Sequence, residues 1–81
     1  SSINFNIFPN PTEGNITISS YFDEIKLINV FNLIGEIVYS YNNTSSSQNI
    51  SINLSTLKKG TYLIEVRNNN GFKGIKKIIV Y

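Results

Sequence analysis

The chain has 81 residues, 41% of them hydrophobic and 15% charged, with a net charge of +2 and neither cysteine nor histidine. Such a length allows one domain, residues 1–81, burying about 60 to 65% of its unfolded surface, and no apolar run approaches the roughly 18 residues of a membrane span. Without cysteine there is no disulfide or thiolate metal site, without histidine the commonest general base and metal ligand are both missing, and the dispersed lysines form no stripe that could track a phosphate backbone, so catalytic, metal-binding and nucleic-acid roles are all disfavoured.

Period-two alternation dominates, with turn chemistry about every ten residues, the pattern of an all-β sandwich or small barrel. Ile3, Phe5 and Ile7 alternate with Asn4 and Asn6 in a first strand. It stops at Phe8, because Pro9 and Pro11 cannot donate ladder hydrogen bonds. The Pro-Asn-Pro corner fixes φ on either side of Asn10 and biases the preceding residues toward extended geometry, and Gly14 releases the chain into a second strand carrying Ile16 and Ile18. Its role on this reading is that of a folding device. A turn formed at Asp23 leads to "KLINVFNL", apolar on both parities and therefore a central strand, with Ile28 and Val30 on one face and Leu27 and Phe31 on the other. Residues 32–35 make the next tight turn, with Gly35 free to take positive φ.

"EIVYSYN" is the fourth strand, and "NNTSSSQN", with Ser45 to Ser47, is a solvated loop. Ile50, Ile52 and Leu54 alternate in the fifth strand. A short turn anchored by Leu57 and closed by Gly60 precedes Tyr62, Ile64 and Val66 in the sixth, and "NNNG", ending at Gly71, is a hairpin loop. The last strand covers residues 72 to 80. Seven strands on short connections form a seven-stranded antiparallel β-sandwich, Ig-like, with a core about 10 Å thick.

Candidate chemistry is sparse. The acids Glu13, Asp23, Glu24, Glu36 and Glu65 show no metal-ligand or acid/base spacing beyond the adjacent Asp23 and Glu24, and no calcium-loop run is present. Serines lack a histidine partner and a nucleophile elbow. Glycosylation-type triplets at Asn15 and Asn53 arise by chance in a chain so rich in Asn, Ser and Thr. Tyr21, Tyr39 and Tyr41 are the aromatic residues free to line a sugar-stacking surface. The pair Lys76 and Lys77, on physical grounds alone, protects an edge strand from sheet-to-sheet association.

Four stretches in order, "IFPNPTEGNITI", "INVFNLIGEIV", "INLSTLKKGTYLIEV" and "NGFKGIKKIIVY", resemble the type A C-terminal sorting domain of the bacterial type IX secretion system. The resemblance runs from about Asn6 to Tyr81. By position it marks Pro9, Asn10, Pro11 and Gly14; Asn32, Gly35 and Val38; Leu57, Gly60 and Tyr62; and Gly71 and Lys77. Tyr81 departs from the basic or polar last residue of many members. The resemblance implies a non-catalytic signal at the end of a secreted precursor of a Gram-negative bacterium, needing no cofactor. Its partners are then the outer-membrane translocon, shuttle and sortase-like components, together with a covalently linked N-terminal cargo. After passage through the periplasm and outer membrane the domain is removed, and the cargo is attached to the cell surface or released. Starting at Ser1, the chain reads as a segment of a longer polypeptide. A signal read after folding calls for a rigid exposed edge, which points to Lys76, Lys77, Ile78, Ile79, Val80 and Tyr81 as the recognition strand. Two other readings fit the same strands: a carbohydrate-binding or adhesion module that stays on its protein, and a spacer between domains.

Overall fold

The computed structural model describes residues 4–21, 24–44, 47–71 and 73–81. Its strands are β1 (Phe5–Phe8), β2 (Asn15–Ser20), β3 (Leu27–Phe31), β4 (Ile37–Asn42), β5 (Asn49–Asn53), β6 (Gly60–Arg67) and β7 (Lys73–Val80). A three-stranded sheet in the order β1-β2-β5 faces a four-stranded sheet in the order β4-β3-β6-β7, with every named strand pair antiparallel. This is the strand arrangement of an immunoglobulin-like sandwich. Ile3, the Asp23 turn, Ser45 and the start of the last strand at Phe72 lie outside the described residues.

Period-two alternation sorts side chains between core and solvent as the pleat requires. Phe5, Ile16, Ile18, Ile50 and Ile52 point inward from one sheet, and Ile28, Val30, Tyr62, Ile64, Val66, Ile78 and Val80 meet them from the other. Ile25 and Leu54, just outside strands β3 and β5, are buried as well and belong to the same core. The doubly apolar β3 is central, hydrogen-bonded on one side to β4 and on the other to β6.

A tyrosine fixes the crossing between sheets. Tyr62 enters the core near the start of β6, and its hydroxyl donates to the carbonyl of Lys58 at 2.6 Å. That is the geometry of the tyrosine corner found in immunoglobulin-like sandwiches. It accounts for the spacing of Leu57, Gly60 and Tyr62: Leu57 packs against the core, Gly60 starts the strand, and Tyr62 ties the strand back to the turn.

Candidate functional site

Beyond Phe8 the chain passes through Pro9 and Pro11, each preceded by a cis peptide bond. It does not fold straight back onto β2. Instead it crosses the flank of the sandwich and meets the outer edge of β7 in the other sheet, where Thr12 and Val80 form a parallel bridge. The N–H of Thr12 donates to the carbonyl of Ile79 at 2.9 Å, and the N–H of Tyr81 donates to the carbonyl of Thr12 at 2.9 Å. Asn10 extends this pairing with its side chain: Nδ2 donates to the carbonyl of Lys77 at 3.1 Å, and Oδ1 accepts the N–H of Ile79 at 3.2 Å. A carboxamide carries the same donor and acceptor as a peptide group, so Asn10 stands in for one more residue of an added strand.

Thr12 then returns the chain to its own sheet. Its side chain is buried, donates from Oγ1 to the carbonyl of Asn15 at 2.8 Å and accepts the N–H of Gly14 at 3.0 Å. Gly14 has φ +143°, and a Cβ there would sit 2.9 Å from Cα of Ser55, so no other residue fits without moving backbone. The corner is thus a staple between the two sheets, and its far leg holds the C-terminal strand.

β7 is the edge of the four-stranded sheet, in unbroken register with β6. Its alternation divides the recognition residues expected from sequence. Ile78 and Val80 face the core, while Lys77, Ile79 and Tyr81 are exposed, Tyr81 to 58%. Lys76 shares the parity of the core but remains exposed, with Nζ 5.7 Å from the centroid of the Phe5 ring, within cation–π range. Tyr81 also borders a shallow cleft of about 430 Å³ lined by Pro9, Thr12, Glu13 and Asn15. Corner and C terminus therefore share one surface, which linear sequence separates almost completely.

The other marked positions shape turns elsewhere. Asn32 organises the β3–β4 hairpin: Oδ1 accepts the N–H groups of Ile34 at 3.2 Å and Glu36 at 2.9 Å, and Nδ2 donates to Glu36 Oε1 at 2.8 Å. Gly35 takes φ +91° in this turn, which leaves Leu33 and Ile34 exposed at its tip. Val38 sits where the β3–β4 register shifts. Gly71 closes the β6–β7 turn with its N–H on the carbonyl of Asn68 at 3.3 Å. Tyr39 packs partly against the core, the exposed Tyr21 follows the end of β2, and the exposed Tyr41 lies on β4 of the other sheet, so the three tyrosines do not share one face. Glu65 lies buried on β6: burial pushes its carboxyl up, but hydrogen bonds from Arg67 and Asn29 and the charges of Arg67 and Lys73 outweigh that and hold its pKa below the ordinary carboxylate value. Thr12, central to the staple, was not distinguishable in the sequence, because a threonine after a proline carries neither core periodicity nor turn signature.

Fold and site together define an immunoglobulin-like β-sandwich with a stapled C-terminal edge strand. No cluster of potential metal ligands occurs among its described residues. Residues 6–81 match the family of secretion system C-terminal sorting domains, and the chain belongs to that family, the sorting signals of type IX secretion. It is 34% identical over 74 residues to the ulvan lyase NLR42 of Nonlabens ulvanivorans, an alignment covering 91% of this chain and 14% of that protein. Among solved structures it is similar to CopC from Methylosinus trichosporium OB3b, with a TM-score of 0.52 and 10% identity over 95% of this chain and 91% of that one. That likeness is one of fold.

Proposed function

We propose that this domain directs a covalently linked N-terminal cargo through the type IX outer-membrane translocon of a Gram-negative bacterium, and that the folded flank formed by the corner and β7 is the surface the machinery reads. A sortase-like protease then removes the domain, and the cargo is attached to the cell surface or released. The observation that carries the placement of the surface is the pairing of Asn10 and Thr12 with Lys77, Ile79 and Tyr81. It holds the last residues of the eight-residue edge strand β7 on their outer side, and it presents Lys77, Ile79 and Tyr81 beside Pro9 in a fixed arrangement. Family membership supports the sorting role, and a preorganised shape suits a signal read after folding.

The test is to fuse residues 1–81 behind a signal peptide and a fluorescent passenger in a host with type IX secretion. Export of the passenger to the surface or medium, with loss of the domain from the mature product, is expected. Retention of the intact, folded fusion in the periplasm sinks the proposal.

A further inference from the structure

The outer edge of β7 is divided into two halves. In an antiparallel pair, alternate residues turn their N–H and C=O groups away from the partner strand. The bonds from the corner show that here these are the odd-numbered residues, since Lys77, Ile79 and Tyr81 receive them. The corner occupies the half nearest the C terminus. On the other half, among the described residues, the N–H and C=O of Lys73 and Ile75 and the N–H of Lys77 have no partner, and the β6–β7 register behind them contains no bulge. A regular row of unpaired backbone groups accepts another strand.

Charge narrows what that strand is. Lys73, Lys76 and Lys77 are exposed along this half, and among the described residues only Lys73 has a carboxylate within ion-pair distance, Glu65 at 3.9 Å. A second copy of β7 added antiparallel about Ile75 would set lysine against lysine, which is unfavourable across a strand pair. We propose that residues 73–77 of β7 form a docking edge for an extended segment of a partner protein that bears two acidic residues four positions apart with an apolar residue midway between them. Side chains on the outer face of the incoming strand lie beside Lys73, Ile75 and Lys77. The matching pattern is therefore acidic, any, apolar, any, acidic, with Ile75, 54% exposed, as the apolar centre. Asn10, seated on the carbonyl of Lys77, ends the free row and sets the register. The inference rests on the sorting proposal only for the source of the partner, the secretion machinery; strand addition itself is testable without it.

The probe is the synthetic peptide Thr-Glu-Thr-Val-Thr-Glu-Thr, titrated into the isotopically labelled chain, with a control peptide carrying lysine in place of glutamate. The acidic peptide is expected to shift the amide signals of Lys73, Ile75 and Lys77 and to slow their hydrogen exchange several-fold, and the lysine peptide to do neither. Ile75→Pro removes an outward N–H at a position where an edge strand tolerates proline, and binding is expected to be lost. Should that variant not fold, K73E/K77E serves in its place and is expected to exchange the preference in favour of the lysine peptide. The proposal is overturned by no shift at these amides, by equal response to both peptides, or by self-association of the chain that protects the same amides without peptide. Export of the fusion is measured in parallel. Normal export without peptide binding removes the docking edge and leaves the sorting proposal standing, whereas binding without export does the reverse.

Discussion

Two asparagine side chains hold two corners of this molecule, and they work at opposite ranges. Asn32 spends its carboxamide inside its own turn, on Ile34 and Glu36, two and four residues along the chain. Asn10 spends the same group on Lys77 and Ile79, 67 and 69 residues away. The first shapes a hairpin tip and affects little else. The second ties the start of the domain to its end, adding to the β6–β7 ladder a hold on the last strand from a residue that precedes it by most of the chain.

The contrast is broken most severely at Gly14. Gly14→Val forces a β-branched side chain into a left-handed backbone and against Ser55, and we expect a loss of about 3 kcal/mol or more in urea unfolding. Thr12→Val keeps the shape but strands the buried N–H of Gly14 and carbonyl of Asn15, and about 1 to 3 kcal/mol should be lost. Asn10→Ala and Asn32→Ala each remove exposed or half-exposed hydrogen bonds and should cost similar amounts, about 1 kcal/mol. Hydrogen exchange separates them: Asn10→Ala should speed exchange at the Ile79 amide and leave Ile34 and Glu36 unchanged, and Asn32→Ala should do the opposite.

The smallest effect concerns the open half of β7, steadied by Lys73 near Glu65. Because the folded-state pKa of Glu65 lies below its unfolded value, the ionised carboxylate stabilises the fold above about pH 4.5, and that contribution disappears as pH falls through the folded pKa. Glu65→Gln should flatten the slope of stability against pH in that acidic range and leave exchange at the Ile79 amide unaltered. An unchanged slope would show that the ion pairs over Glu65 contribute nothing measurable.

Local physics made most of the fold legible in the sequence. Alternation gave the faces of Ile16 and Ile18, of Ile50 and Ile52, and of Tyr62, Ile64 and Val66, because a pleated strand buries every second residue whatever its neighbours. Gly35 after Asn32 signalled its turn because that turn is closed by residues beside it. Prolines announced the end of β1 for the same reason. What stayed hidden is the flight of the corner to the opposite sheet, since Asn10 and Thr12 find their partners only after both sheets have assembled. Reading the corner as a folding device was therefore incomplete: Pro9, Pro11 and Gly14 bend the chain, while Asn10 and Thr12 reach the C-terminal strand. Within that strand, parity sends Ile78 and Val80 to the core, leaving Lys77, Ile79 and Tyr81 for a partner to touch.

The claim that corner and C-terminal strand act as one sorting surface is tested most directly by the export of two matched fusions, one with Asn10→Ala and one with Asn32→Ala, after both are shown to be folded and equally stable at the growth temperature. The joined surface predicts that Asn10→Ala loses most of its export, while Asn32→Ala exports like the unaltered domain. Equal export of the two variants, at the unaltered level, would contradict it.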